Sequence, residues 1–252
     1  MARQFIYDNI GFSEATVEDG TVTATTFNPA PASVTNEERA NDMSISTAFT
    51  SFGLNDALRF DVGSDNASTN ANVIALYYTA NHGHDMRIYK SSSATAMGTH
   101  IAEKTDNFVE GWNIITFSAT AARYWFVHST TGTIDDITEI IIGTKYDFDI
   151  NPELNAVIGE EFGTDIMTSY GGNEYANKRH SPKTTWSFNF EYLPAAQKTA
   201  FETLNSNVQD WKKFVYYDDT NYHYVRLTDP IEFTEVAPSI FSCGVNLREQ
   251  LA

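Results

Sequence analysis

The stretch "TTWSFNFEYLPAAQKTAFETLNSNVQDW", Thr184 to Trp211, changes its hydrophobic period midway. From Thr185 to Glu191 polar and apolar residues alternate, with Trp186, Phe188 and Phe190 on one side. A period of two belongs to a half-buried strand, because successive side chains point to opposite faces. Beyond it Leu193, Ala196, Ala200, Phe201, Leu204, Val208 and Trp211 recur at three or four residues, one face of a helix. Pro194 stands at the junction and suits a first helical position, where a missing N–H costs nothing. The reading is a strand feeding a helix of about residues 194–211.

Working outward, Lys213-Phe-Val-Tyr-Tyr217 and Tyr222-His-Tyr-Val-Arg-Leu227 flank Asp218-Asp-Thr-Asn221, a hairpin with a four-residue loop. Ile231-Glu-Phe233 and Phe241 to Leu247 read as two more strands. On the other side, Gly171-Gly172 lets the backbone reach positive φ, which marks a tight turn. From there to Thr184 only Tyr175 and Ala176 are apolar, while Lys178, Arg179, His180 and Lys183 cluster. The expectation for Ser169 to Lys183 is a long, basic loop between two strands.

The first part of the chain is strand-rich. Leu58-Arg-Phe-Asp-Val-Gly63, Asn72-Val-Ile-Ala-Leu-Tyr-Tyr78, Asp85-Met-Arg-Ile-Tyr89, Trp112-Asn-Ile-Ile-Thr-Phe117, Ala122-Arg-Tyr-Trp-Phe-Val-His128 and Ile137-Thr-Glu-Ile-Ile-Ile-Gly143 are the strand candidates. Strands at this spacing imply a sandwich or jelly roll. Asn28-Pro-Ala-Pro-Ala-Ser33 and Asp65 to Ala71 read as loops. The polar, proline-marked Asp147-Phe-Asp-Ile-Asn-Pro152 reads as a connection, which places a domain boundary near Tyr146. The expected domains are 1–145 and 146–252.

The chain has 252 residues, with 42% apolar and 13% aromatic side chains, enough for a real core. No apolar run approaches the ~18 to 20 residues of a membrane helix, and Met1 to Asp8 lacks the apolar core of a secretory signal. The expectation is a chain made in a cytoplasm and not inserted in a membrane. The net charge of −17 opposes a nucleic-acid partner, which wants Lys and Arg. The single Cys243 permits no internal disulfide and no cysteine zinc framework, and reads as a small buried residue.

Catalytic patterns are missing. There is no Gly-x-Ser-x-Gly elbow, P-loop, dinucleotide fingerprint or His-Glu-x-x-His, so the expectation is a non-enzyme without a cofactor or metal. His82-Gly-His84-Asp85 carries metal-ligand side chains but suits a turn equally well, and the turn is the reading. Asp135-Asp136, Asp147-Phe-Asp149 and Asp218-Asp219 offer oxygens to calcium, though isolated acidic pairs in loops are usually just solvated. Tyr77, Tyr78, Tyr124 and Trp125 could stack on a sugar; Tyr78 and Trp125 are the glycan-contact candidates, with core packing as the competing role.

The order Gly171-Gly-x-Glu174, Arg179-His-Ser-Pro-Lys183, Trp186-x-Phe-x-Phe-x-Tyr-Leu193, Phe201-Glu-Thr-Leu204, then Phe214-Val-Tyr-Tyr217 with Tyr224-Val-Arg-Leu227, resembles the minor and distal tail proteins of long-tailed bacteriophages. That resemblance covers about residues 146 to 252 and implies a split β-barrel with one flanking helix, assembling into rings that continue the tail tube into the baseplate. Leu58 to Gly63, Ala122 to Val127 and Ile137 to Gly143 are similar to galactose-binding-like (discoidin-type) jelly rolls, whose ends often bind glycans.

The fold expected is therefore mostly β, a jelly-roll sandwich followed by a split barrel with one helix. The function expected is a structural virion protein of the tail tip, located in the tail; the alternative is a glycan-binding adhesin module. The partners expected are further copies of the chain, three or six to a ring, with the tube, hub and fibre proteins, and a host-surface glycan. Gly171, Gly172, Glu174, Tyr175, Lys178, Arg179, His180 and Lys183 are the expected subunit-interface residues, since a basic patch on an acidic chain is self-complementary.

Overall fold

The computed structural model describes residues 3–8, 16–23, 26–28, 40, 42–47, 56–105, 108–131, 136–152 and 156–250. Pro29 to Ser33 of the proline-rich loop and Asp135 lie outside them. The chain divides into two compact units: Phe5–Tyr146, and Asp147–Leu251 with the chain's first residues through Gln4.

The N-terminal unit is a sandwich of two sheets. One runs through β1 (Gln4–Tyr7, of which Phe5 to Tyr7 belong here), β10 (Ile137–Asp147), β5 (Asn70–Tyr78) and β8 (Gly111–Ala121). The other has the order β3 (Thr26–Asn28), β2 (Thr16–Thr23), β4 (Asp56–Asp61), β9 (Tyr124–Ser129), β6 (Met86–Ser91) and β7 (Thr99–Lys104). A single-turn helix, α1 (Gly63–Asn66), occupies part of the polar stretch after β4.

The core follows from register. Leu58 lies opposite Val127, Phe60 opposite Trp125, Ile74 opposite Ile142 and Leu76 opposite Ile140, and all of them are buried in one cluster. Directly opposed residues share a face, so these pairs line the inner surfaces of the two sheets. A second cluster of Ala57, Met97, Tyr124 and Phe126 covers the other face of β4 and β9. All six residues of β9 are consequently buried. Gly143 meets a close approach: a Cβ there would run into the Tyr7 carbonyl.

The C-terminal unit carries β11 (Val157–Thr168), β12 (Glu174–Pro194), β16 (Ile240–Glu249), β14 (Tyr222–Leu227) and β13 (Phe214–Tyr217) in that order, with β15 (Phe233–Ala237) also on β16. Among the described residues these strands do not close into a barrel. The hairpin loop at Asp218 to Asn221 is where the sequence places it, with Tyr217 opposite Tyr222. The helix α2 (Ala195–Val208) ends before Trp211, which is exposed. Its buried face holds Gln197, Phe201, Leu204 and Val208, while Ala196 is exposed. Gln197 is buried because it serves the backbone of Ile150, accepting from its N–H at 3.1 Å and donating to its carbonyl at 3.2 Å.

Phe148 belongs to this core, although the sequence reads it as part of a polar connection. Its ring lies 5.7 Å from Phe190 and 5.6 Å from Phe201, both edge-on, and Phe188 stacks on Tyr216 at 5.8 Å. Burying each such ring is worth roughly 1.5–3 kcal/mol, and edge-to-face pairing adds to it.

Candidate functional site

Three places hold the residues that the sequence singles out. The first is the hairpin of β11 and β12. Ser169 to Lys183 is not a long loop: β12 begins at Glu174 and runs for 21 residues. Only Ser169 to Asn173 turns, with Gly172 at φ 82° donating its N–H to the Ser169 carbonyl at 2.9 Å. The paired strands hold themselves by backbone hydrogen bonds, with Glu174 opposite Thr168, Tyr175 opposite Met167, Lys178 opposite Thr164, His180 opposite Gly163 and Lys183 opposite Glu161. Residues facing solvent on both sides need no hydrophobic alternation, so the sequence gives no period there to read.

This ribbon is exposed on both faces. Phe162 is 69% and Met167 70% exposed, and Ile166, Tyr170 and Tyr175 stand out with them. Ile166 and Met167 are neighbours on a strand and point to opposite faces, so each face of the ribbon carries apolar surface. Arg179 is ion-paired with Asp165 across the ribbon, and His180 Nδ1 lies 2.7 Å from the Ser181 carbonyl.

The charged residues extend past the hairpin. Arg226 and Thr185 both lie opposite Arg248, while Trp186 and Leu227 lie opposite Leu247. Arg226 and Arg248 therefore share the face turned away from the buried Trp186, Leu227 and Leu247. Lys183 and Thr185 sit on that face too, two residues apart on β12. Lys213 joins them, its Nζ 5.6 Å above the ring of Tyr224. Glu161 accepts from Arg248 Nη2 at 2.6 Å, and Arg226 Nη1 donates to the Asp210 carbonyl at 3.0 Å. Burial, then the positive charges of Arg248, Lys213 and Arg226 against the pull of Glu161, hold the Lys183 ammonium below its ordinary value. The sequence singles out Lys183 but misses Lys213, Arg226 and Arg248, which come from three other segments.

The second place is a cleft of about 580 Å³ in the N-terminal unit, lined by Ser64, Lys90, Ser91, Ser92, Thr99 and Arg123 among others. Arg123 grips Asp61 with both arms, Nε to Oδ1 at 2.9 Å and Nη2 to Oδ2 at 3.0 Å. That pairing, against burial and with help from the Gly63 N–H, holds the Asp61 carboxyl below the usual carboxylate range. Lys90 donates to the Thr120 hydroxyl. Tyr78 and Trp125 are not at this cleft or at any surface: both are 0% exposed, in the sandwich core. Neither can stack on a sugar, because its strand faces inward at that position. Trp125 Nε1 is instead satisfied by the Ala122 carbonyl at 3.0 Å.

The third place is His82 to Asp85, a tied crossing. His82 pairs its backbone with Phe108 and its Nε2 lies 3.1 Å from Asp136 Oδ2. The rings of His82 and His84 stack at 5.2 Å, and the Asp85 N–H donates to the Thr131 hydroxyl. Among the described residues no three His, Cys, Asp or Glu side chains gather as metal ligands. One residue in each of two acidic pairs offered to calcium has another partner: Asp136 meets His82, and Asp218 ties its own hairpin loop by accepting from the Thr220 and Asn221 N–H groups at 2.8 Å.

No family model matches the chain, and no curated protein matches it. Among solved structures, chitosan-binding module 1 of a chitosanase/glucanase from Paenibacillus sp. IK-5 is 20% identical, covering 54% of this chain and 98% of its own at a TM-score of 0.38. Chitosan-binding module 2 of the same enzyme, solved with chitotriose, is 15% identical, covering 54% of this chain and 99% of its own at a TM-score of 0.40. A superposition this loose says nothing of what this chain binds.

Proposed function

We propose that this chain is a structural, self-assembling virion protein of a bacteriophage tail tip, made in the host cytoplasm, with its C-terminal unit forming a ring between tail tube and receptor-binding apparatus. The observation that carries this is the β11–β12 ribbon with apolar side chains on both faces. A two-stranded ribbon is at best marginal in water, and exposed apolar surface of this kind marks an interaction site. A neighbouring copy laid against each face would bury Phe162, Ile166, Met167 and Tyr175. A contact between different patches of successive copies closes into a ring when its rotation allows.

Light scattering on the purified chain, with negative-stain electron microscopy, tests this. Closed rings of three or six copies are expected, and Phe162→Asp with Ile166→Asp should return the chain to a folded 28.2 kDa monomer. A chain that stays monomeric at all concentrations, and that does not bind phage tail tubes, overturns the reading.

A second reading concerns the N-terminal unit alone. Its cleft combines hydroxyls of Ser64, Ser91, Ser92 and Thr99 with Lys90 and Arg123, a lining suited to a glycan bearing an acidic group. Glycan-array binding by the full chain, lost in Lys90→Ala, would support it. An array without any signal overturns it.

A further inference from the structure

The outer face of the C-terminal sheet is polarised along its strands. At one end stand Lys183, Arg226, Arg248 and Lys213, with Glu161 their acidic neighbour on this face. Glu249, on the adjoining strand position, is spent on the Thr184 N–H at 2.9 Å. The other end holds a shallow groove of about 440 Å³ lined by Asn189, Glu191, Glu232, Thr234 and Gly244 among others. Asp229, which accepts from Asn246 and Thr228, adds a carboxylate outside the cationic cluster. Between the ends this face carries uncharged residues, Thr185, Ser187 and Asn189 on β12, Gly244 and Asn246 on β16, and the exposed Val157 on β11 opposite Ser187.

From Lys183 to Glu191 is eight strand steps, roughly 26 Å at about 3.3 Å per residue. That is more than three Debye lengths of about 8 Å at physiological salt, so the two ends do not neutralise each other within one molecule. Arg226 directly opposite Arg248 is an arrangement that costs folding stability. Such a cost is expected where the charges serve a contact outside the subunit.

We infer that the cationic end formed by Lys183, Lys213, Arg226 and Arg248 docks on the acidic groove of Glu191 and Glu232 in a second copy of this chain, head to tail. This rests on the assembly reading above and adds the direction of the contact. The ribbon supplies apolar area, which is indifferent to orientation; the charged ends select one orientation, because the reversed contact sets like charges together. A head-to-tail contact is heterologous, as a ring needs, whereas a face pairing with itself would stop at a dimer.

Charge exchange tests it. Lys183→Glu with Arg226→Glu, and separately Glu191→Lys with Glu232→Lys, should each weaken self-association by about tenfold or more. Mixing the two variants should restore head-to-tail association in alternating order, in assemblies of even copy number. Thermal unfolding of each variant checks that the monomer folds, with Lys183→Glu alone as the milder form. Assembly of the natural chain should weaken as salt rises from about 0.05 M to about 0.5 M. Variants that assemble like the natural chain overturn the inference and leave the assembly reading standing. Failure of the mixture to assemble overturns the pairing of these two ends. A natural chain that never assembles overturns both.

Discussion

Arg226 and Arg248 face each other across the β14–β16 pairing, two guanidinium groups on directly opposed residues. One is held by a carbonyl of Asp210 and the other by Glu161. Like charges so placed cost on the order of 0.2–1 kcal/mol. Arg226→Gln should therefore raise the melting temperature of the isolated subunit while weakening its association. A lower melting temperature with association unchanged would mean that Arg226 serves only the fold.

Among the described residues Trp125 is the largest fully buried side chain. Trp125→Ala should cost about 3–5 kcal/mol, read by denaturant unfolding. A loss below about 1 kcal/mol would contradict the inward placement.

Asp61 provides a pH-dependent part of stability. Its folded carboxyl lies below the ordinary value of 3.8, chiefly through the Arg123 hydrogen bonds. A depressed acid contributes fully above its unfolded pKa, and the contribution is lost as pH falls through the folded one. Melting temperature should decline as pH drops below about 4, and less steeply in Asp61→Asn. Parallel declines in the two proteins would refute a role for this pair.

Cys243 is buried, and burial pushes its thiol up to about 12. Neutral thiols react slowly. A thiol reagent at pH near 8 should leave the folded chain unlabelled and modify its single cysteine in denaturant. Rapid labelling of the folded chain would place the thiol at the surface.

The Gly172 turn residue and the hairpin at Asp218 were legible because local chemistry specifies them. The five N-terminal segments from Asn72 to Gly143 were legible as strands for the same reason. Their facing was not. Alternation says that Tyr124 and Trp125 point to opposite sides, but β9 is covered on both, by the sandwich core around Trp125 on one side and by Met97 over Tyr124 and Phe126 on the other. The exposed ribbon was hidden by the opposite circumstance, since a strand bare on both faces has no hydrophobic period.

By itself the sequence determined a mostly β chain, the switch from strand to helix around Leu193 and Pro194, and the hairpin at Asp218 to Asn221. Each is a matter of side-chain period and turn chemistry within a few residues. The tertiary structure decided the rest. It carried β12 on to Glu174, turned Tyr78 and Trp125 inward, and brought Lys183, Lys213, Arg226 and Arg248 from four segments to one face. The reason is that strand partners are chosen by hydrogen bonds and burial between residues far apart in sequence, such as Trp186 opposite Leu247. A local pattern records how side chains divide around one strand, but not which strand lies beside it or what covers its faces.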